Sequence, residues 1–233
     1  MTPPRLVAFD LDDTLFPERD YVRSGLAAAG EWVWRAYGRP EIAETAWALF
    51  QAGVRGRLFD AAFGRLGLPV DPAAIAALVD VYRHHRPVIA VYPDVERMLR
   101  AIPARTRLAI VSDGPLPSQQ RKILALRLED RFDPVLLTDR WGRTFWKPHE
   151  RAFREIERLT GVCGGACAYV GDNPRKDFVA PRALGWRTIR VRRPGGEHAA
   201  IGAADAADAE CHDVEEAVRL LGLGCEVEEE ARS

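Results

Sequence analysis

The sequence predicts an α/β protein: a Rossmann-like parallel sheet interrupted, after its first strand, by an all-helical insertion. Three observations carry that expectation. Five short apolar runs, at residues 6–10, 108–112, 135–138, 168–172 and 188–191, are rich in β-branched residues and bounded by Asp, Gly, Ser or Thr, as strands buried on both faces are. Helical patterns separate the later runs, and strand–helix alternation implies a parallel sheet covered on both sides. The stretch 17–90 breaks the alternation and carries only helical periodicity. At 233 residues the chain is about one and a half ordinary domains. An α/β core at 1–16 and 91–233 with a helical cap at 17–90 accounts for the half.

The first strand, Leu6-Val7-Ala8-Phe9-Asp10, is followed by three apolar stripes within the insertion. Ile42, Ala46, Leu49 and Phe50 form one, and Phe59, Phe63 and Leu66 a second. Ile75, Leu78, Val79 and Tyr82 form a third, with Asp71 as N-cap and Pro72 at the first helical position. Beyond the insertion, Asp94 reads as the N-cap of a helix burying Val95, Met98, Leu99 and Ile102 and stopped by Pro103. Ser118 reads as the cap of the next, with Ile123 and Leu124 inward. Pro148 opens another that carries Phe153, Ile156 and Leu159, and a fourth runs from about 176 to 184 and stops at Gly185. The tail after Pro194 is rich in Ala, Asp and Gly; it offers one helix, 213–221, and a frayed acidic end, 226–233.

Composition narrows the function classes. Hydrophobic residues make up 47% of the chain, which suits a globular core. A net charge of −1 lacks the basic surplus of a nucleic-acid binder. No apolar run approaches the roughly 18 residues of a membrane span, and the N-terminal residues carry no secretory h-region. A cytoplasmic protein acting on a small molecule, as a monomer or homodimer, is expected. Cys163, Cys167, Cys211 and Cys225 do not complete a zinc-ligand pattern and read as reduced thiols. Of the 33 basic residues only Lys122, Lys147 and Lys176 are lysines.

The chemistry-bearing residues fall at strand ends. Asp10-Leu11-Asp12-Asp13-Thr14 follows the first strand, where open α/β sheets bind ligands. Two carboxylates this close repel, which suits a nucleophile beside a general acid/base, or a Mg²⁺ site. The same segment read alone is also an acidic turn in which Asp13 or Thr14 caps local backbone. Ser112-Asp113-Gly114 ends the second strand with a hydroxyl and a glycine that lets backbone N–H groups approach an anion. The fourth strand ends in Asp172, with Asp177 five residues on. Lys147, before Pro148, can hold a phosphoryl oxygen and offset the carboxylates.

Together these residues resemble the haloacid dehalogenase-like superfamily, whose four motifs read Asp-x-Asp, Ser/Thr, Lys and an acidic pair. Here they stand as Asp10-x-Asp12, Ser112, Lys147 and Asp172 with Asp177, and the resemblance spans about residues 5–193. The insertion is similar to the superfamily's C1 cap. Tyr92-Pro93-Asp94-Val95 and Ser112-Asp113-Gly114, with Gln119, resemble its C1-capped phosphatase branch. The resemblance implies that Asp10 attacks phosphorus to form an aspartyl-phosphate, with Asp12 as general acid and then base. It implies Mg²⁺ on the Asp10 and Asp172 side chains and the Asp12 carbonyl, with Asp177 outside direct contact, orienting a metal water or Lys147. Ser112, Asp113, Gly114 and Lys147 would bind the phosphoryl group.

Within the superfamily, dehalogenases lack the second Asp of the first motif, and Asp12 is present. Phosphonatases need a cap lysine, and residues 17–90 contain none. The expected activity is therefore a Mg²⁺-dependent phosphatase acting on a small phosphomonoester, a sugar phosphate or nucleoside monophosphate. The alternatives are a phosphomutase of the same fold and a non-catalytic phosphometabolite-binding protein; the latter would be expected to carry a damaged motif.

Cap residues offer substrate contacts. Arg55 or Arg57, in a basic glycine-flanked turn, would reach a second anionic or hydroxyl-rich part of the substrate, or else form a solvated surface turn. Residues 16–21 read as a flap near the leaving group, with Glu18 and Tyr21 as contacts. Trp141 and Trp146 either wall the entrance or pack in the core. His84 and His85 read as cations at a helix end rather than as a metal pair.

Overall fold

The computed structural model describes residues 2–202 and 206–223. Its centre is a six-stranded sheet in the order β3-β2-β1-β4-β5-β6. The strands are β1 (Leu6–Phe9), β2 (Arg107–Ser112), β3 (Val135–Leu137), β4 (Cys167–Gly171), β5 (Arg187–Val191) and β6 (Ala209–Cys211), every pairing parallel. Alternation along β1 explains why its residues are all apolar: Val7 and Phe9 join one core cluster and Leu6 and Ala8 the other. Strand order reverses beside β1, which opens a crevice at the carboxyl ends of β1 and β4.

β6 departs from expectation, because the tail after Pro194 reads as loop and one helix. Its three residues are too few to show a period. Pairing specifies it instead: Glu210 lies opposite Arg190 and accepts from its Nη1 at 2.9 Å. Arg190 itself is fully buried. It spends its remaining donors on the carbonyls of Asp172, His198 and Ile201, at 3.3, 2.9 and 2.8 Å, tying the 196–201 loop to the sheet edge.

Helices α5 (Pro93–Ala101), α6 (Leu116–Leu126), α7 (Arg151–Thr160), α8 (Val179–Ala183) and α9 (Val214–Leu220) flank the sheet. Asp94 does not cap α5. Tyr92 and Pro93 start that helix, and the Asp94 carboxylate accepts from Arg193 at 2.8 and 3.1 Å and from the Val214 N–H at 2.9 Å. Ser118 likewise lies inside α6, whose start is satisfied from outside by Asp139 accepting the Leu116 N–H at 3.0 Å. Leu124, expected inward, is 67% exposed, because α6 turns Ser118, Gln119 and Lys122 inward instead. Leu159 is also exposed. α7 starts three residues after Pro148: the Lys147 N–H donates to Asp113 at 3.0 Å, and a residue before proline favours extended backbone. α8 is shorter than the expected 176–184 helix, because residues 173–177 form a tight hydrogen-bonded turn at the site. Asp213 caps α9, accepting from Glu216 N–H at 2.7 Å. Cys163, Cys167 and Cys211 are free thiols; Cys225 and the acidic 226–233 end lie outside the described residues.

Between β1 and α5 run α1 (Glu18–Tyr37), α2 (Ile42–Gln51), α3 (Leu58–Arg65) and α4 (Pro72–His84), with a hydrophobic cluster of their own around Leu26, Ala46, Phe63 and Leu78. Asp71 caps α4 as expected, accepting the Ala74 N–H at 3.0 Å with Pro72 at the first position. Residues 18–21 form the first turn of α1 rather than a separate flap. Gly25 lets α4 approach α1: a Cβ there would meet the Tyr82 ring at 2.5 Å. No helix among the described residues is long and apolar enough to cross a membrane.

Candidate active site

Asp10 follows β1, its N–H bound to the Val170 carbonyl of β4 at 2.8 Å, so its carboxyl sits at the crevice. Asp172 follows the end of β4. The turn after it is closed by Asp177, which accepts the Asn173 N–H at 2.9 Å. Oxygens of Asp10, Asp172 and Asp177 lie within 4.8 Å of one another. Lys147 enters this cluster with its ammonium 2.6 Å from Asp10, 2.9 Å from Asp177 and 2.9 Å from the Tyr169 hydroxyl. It donates to Asp10 and to Tyr169 and pairs with Asp177 by charge.

The charge balance is short by at least one cation. Burial pushes Asp10 up to about 6, against the pull of Lys147. Burial, followed by the fields of Asp177 and Asp10, pushes Asp172 up to about 10. Burial works against the Lys147 ammonium, but Asp10 and Asp177 outweigh it and hold Lys147 well above its usual range. The Asp172 carboxylate accepts no hydrogen bond from any described residue. Crowded buried carboxylates with an unpartnered member make a donor set for a hard divalent cation.

Asp12 stands in a different environment. Lys122 donates to its Oδ1 at 2.6 Å and Gln119 to its Oδ2 at 2.8 Å, both from α6. Lys122 is buried, with its ammonium 4.3 Å above the Tyr21 ring. Glu18 faces the same group, and burial and Asp12 push it up to about 8, with Lys122 opposing.

Asp113 joins the motifs rather than standing free: it accepts from Thr138 at 2.7 Å, the Lys147 N–H at 3.0 Å and the Lys176 ammonium at 2.7 Å. Gly114 sits at φ +126°, a conformation that strains any residue with a side chain, and a Cβ there would also displace the Gln119 amide, 2.7 Å away. The capping role that an acidic turn would have belongs to Asp13, which accepts the N–H groups of Glu18 at 2.9 Å and Glu197 at 2.8 Å.

These groups border one cavity of about 450 Å³ between the sheet edge and the inserted helices. Asp10, Asp12, Asp113, Gly114, Asp172, Glu18, Tyr21 and Arg55 all line it. Ser112 does not: it is 1% exposed, and its hydroxyl meets only the Asp113 carbonyl, at 3.5 Å. Lys147 and Asp177 lie beneath the floor. Arg57 points elsewhere, pairing with Asp60 at 2.7 Å. Trp146 lines the cavity, whereas Trp141 packs against the sheet's second core cluster. His85 is not a helix-end cation: burial lowers its pKa, and its ring packs on Tyr21 at 4.9 Å. His84 pairs with Asp80 at 2.9 Å.

Sequence reasoning did not assign Lys122 and Gln119 to Asp12, Lys176 to Asp113, His198 to the cavity lining, or Arg190 to the loop that carries His198. One signal pointed to Lys122 and Lys176: lysine is rare in this chain, and all three lysines pair with aspartates of the strand-end segments.

A family model described as haloacid dehalogenase-like hydrolase matches residues 4–185. A glyceraldehyde 3-phosphate phosphatase of Pyrococcus abyssi is 28% identical over 193 residues, covering 79% of this chain and 80% of that protein. A phosphoserine phosphatase of Thermus thermophilus is 32% identical over 170 residues, 71% of this chain and 65% of its own length. Among solved structures, a 2-haloacid dehalogenase of Pseudomonas syringae superposes with a TM-score of 0.64 at 26% identity, over 94% of this chain and 98% of that one.

Proposed function

This chain belongs to the haloacid dehalogenase-like hydrolase family, and from that premise we propose that it is a Mg²⁺-dependent phosphatase of small phosphomonoesters working through an aspartyl-phosphate. The observation that carries this reading is the division between Asp10 and Asp12. One cavity holds two carboxyl groups, one in a cluster with Lys147, the other clamped by Lys122 and Gln119. Two carboxyls in unlike environments suit two roles. The phosphatase relatives support the same choice.

In the first half-reaction an Asp10 oxygen bonds to phosphorus as the ester P–O bond breaks, and Asp12 gives its proton to the departing alcohol oxygen. In the second, water attacks the phosphorus of the aspartyl-phosphate while Asp12 takes the proton back. The P–O bond to Asp10 breaks and inorganic phosphate leaves. The Gly114 backbone lies at the cavity to meet the phosphoryl oxygens. Lys147, donating to Asp10 and Tyr169 and paired with Asp177, supplies charge to the floor. As the family resemblance implies, the Asp10 and Asp172 side chains and the Asp12 carbonyl would hold Mg²⁺, with Asp177 beside them accepting from the Asn173 N–H and paired with Lys147. When bound, Mg²⁺ supplies charge neutralisation between the carboxylates and the phosphoryl group.

The test is phosphate release from a panel of phosphomonoesters with Mg²⁺, for the native chain and Asp10→Asn. The native chain should turn over and lose activity in EDTA, and the variant should show no measurable turnover. Retained activity in Asp10→Asn would sink the mechanism.

A further inference from the structure

The cavity has two unlike walls. Its floor carries the carboxylates and lysines of the sheet edge. Its roof, from α2, α3, α4 and the α2–α3 turn, presents Phe50, Val54, Leu58, Phe59, Val79 and Tyr82. The roof is packed, not loose: Tyr82 meets Phe59 edge-on at 5.8 Å and Tyr21 at 5.6 Å, and Phe50 stacks on Trp47 at 5.5 Å. From the core side Trp146 faces the same space, its indole N–H fixed on Asp139 at 3.0 Å.

Hydrogen-bonding groups are few in the roof. Arg55 lines it, but its guanidinium is already held by the Phe50 and Val54 carbonyls at 2.7 and 3.1 Å and by Glu197 at 3.2 Å. Arg83 is the other cation there. A polyol or an amino-acid chain pressed against the apolar face of this wall would give up water and find few partners there, Arg83 and the Tyr82 hydroxyl among them. A flat ring would gain dispersion and aromatic contact at no such loss. The volume, about 450 Å³, is that of an ordinary small-molecule site and exceeds what a phosphoryl group and three carbons fill.

We infer that the leaving group carries an aromatic ring seated on this roof, so that the substrate is the phosphomonoester of a ring-bearing alcohol rather than of a short polyol or an amino acid. The inference rests on the phosphatase reading and extends it to the cap. A nucleoside and a simple aryl alcohol share the required chemistry.

The experiment compares kcat/KM, with Mg²⁺, for uridine 5′-monophosphate against ribose 5-phosphate, and for 2-phenylethyl phosphate against glyceraldehyde 3-phosphate and phosphoserine. Each ring-bearing ester should exceed its ring-free counterparts by at least about tenfold. A preference in the first pair alone also supports the inference and narrows the ring to a nucleobase. Equal or reversed preference in both sets overturns it while leaving the phosphatase reading intact. No phosphate from any of the five esters overturns that reading, and the inference with it. Val54→Ser and Val79→Ser, both at half-buried positions, should each reduce the ring preference by roughly threefold or more. An unaltered preference in two folded variants would show that the roof does not read the ring.

Discussion

The floor and the roof of the cavity handle charge in opposite ways. At and beneath the floor the three lysines are each paired with an aspartate at 2.6–2.7 Å: Lys122 with Asp12, Lys147 with Asp10, Lys176 with Asp113. In the 17–90 segment every Lys/Arg cation is an arginine, and those with carboxylate partners, such as Arg23 with Glu44 and Arg57 with Asp60, sit at the surface. An ammonium is a compact charge with three donors and fits between crowded carboxylates, whereas a guanidinium is a wide planar fork. The difference teaches that the floor's charges are structural and chemical at once, while the inserted helices keep most of their charges at the surface and present a mainly apolar inner wall, with Arg55 and Arg83 on it.

Lys147→Met is the strongest attempt to break that contrast. Removing one partner of a buried charge cluster should cost about 3–5 kcal/mol in a denaturant titration. The same variant should lose at least about 10²–10³ in kcat for phosphate release. A variant as stable as the native chain would show that the floor does not depend on this pairing. Lys122→Met takes from Asp12 one of its two orienting donors, so beyond any loss of stability kcat of the folded variant should fall by about 10²-fold, with KM little altered and the pH–rate profile displaced. Equal loss of kcat for Lys122→Arg, which keeps the charge, would point to geometry rather than charge.

Asp94→Asn tests a buried pair remote from the acid–base pair. The partner guanidinium of Arg193 lies 2.8 Å away and is 7% exposed. Burial alone would raise Asp94, but the hydrogen bonds and charge of Arg193 hold it below its usual range. A depressed folded pKa means that the stabilisation is fully present above the ordinary carboxylate value of about 3.9 and is lost as pH falls through the folded value. The variant should therefore be less stable than the native chain by about 2–4 kcal/mol at pH 7. That gap should close in acid; a gap independent of pH would remove the electrostatic account.

The smallest effect belongs to the roof. Arg55 and Glu197 join the cap turn to the loop after β5 across 3.2 Å, but both side chains are more than a third exposed. Arg55→Ala should change stability by no more than about 1 kcal/mol, and less in high salt. A larger loss would make this contact part of the fold rather than a surface tie.

The parts of the site that were legible in the sequence are those attached to strand ends. Asp10, Ser112–Gly114 and Asp172 follow β-branched runs that can only be buried strands, and parallel strands bring their carboxyl ends to one edge. Lys147 and Asp177 were legible through motif order. Residues that act from helix faces were not. α6 reads as an ordinary amphipathic helix with Leu124 inward, and only its orientation in the fold reveals that Gln119 and Lys122 face Asp12. Ser112 shows the converse: its place in the motif suggested a phosphate contact, yet it lies beneath the cavity wall.

Local pattern and order along the chain thus determined the α/β class, the helical insertion and the set of acids at the sheet edge, because strand periodicity and strand-end chemistry are properties of a few neighbouring residues. Tertiary structure alone decided which cation meets which carboxylate, that Arg190 and Glu210 define a sixth strand, and that the cap presents carbon to the site. Those outcomes depend on residues 20 to 137 positions apart meeting in low dielectric, where burial and pairing set the energy of a charge more than its identity does.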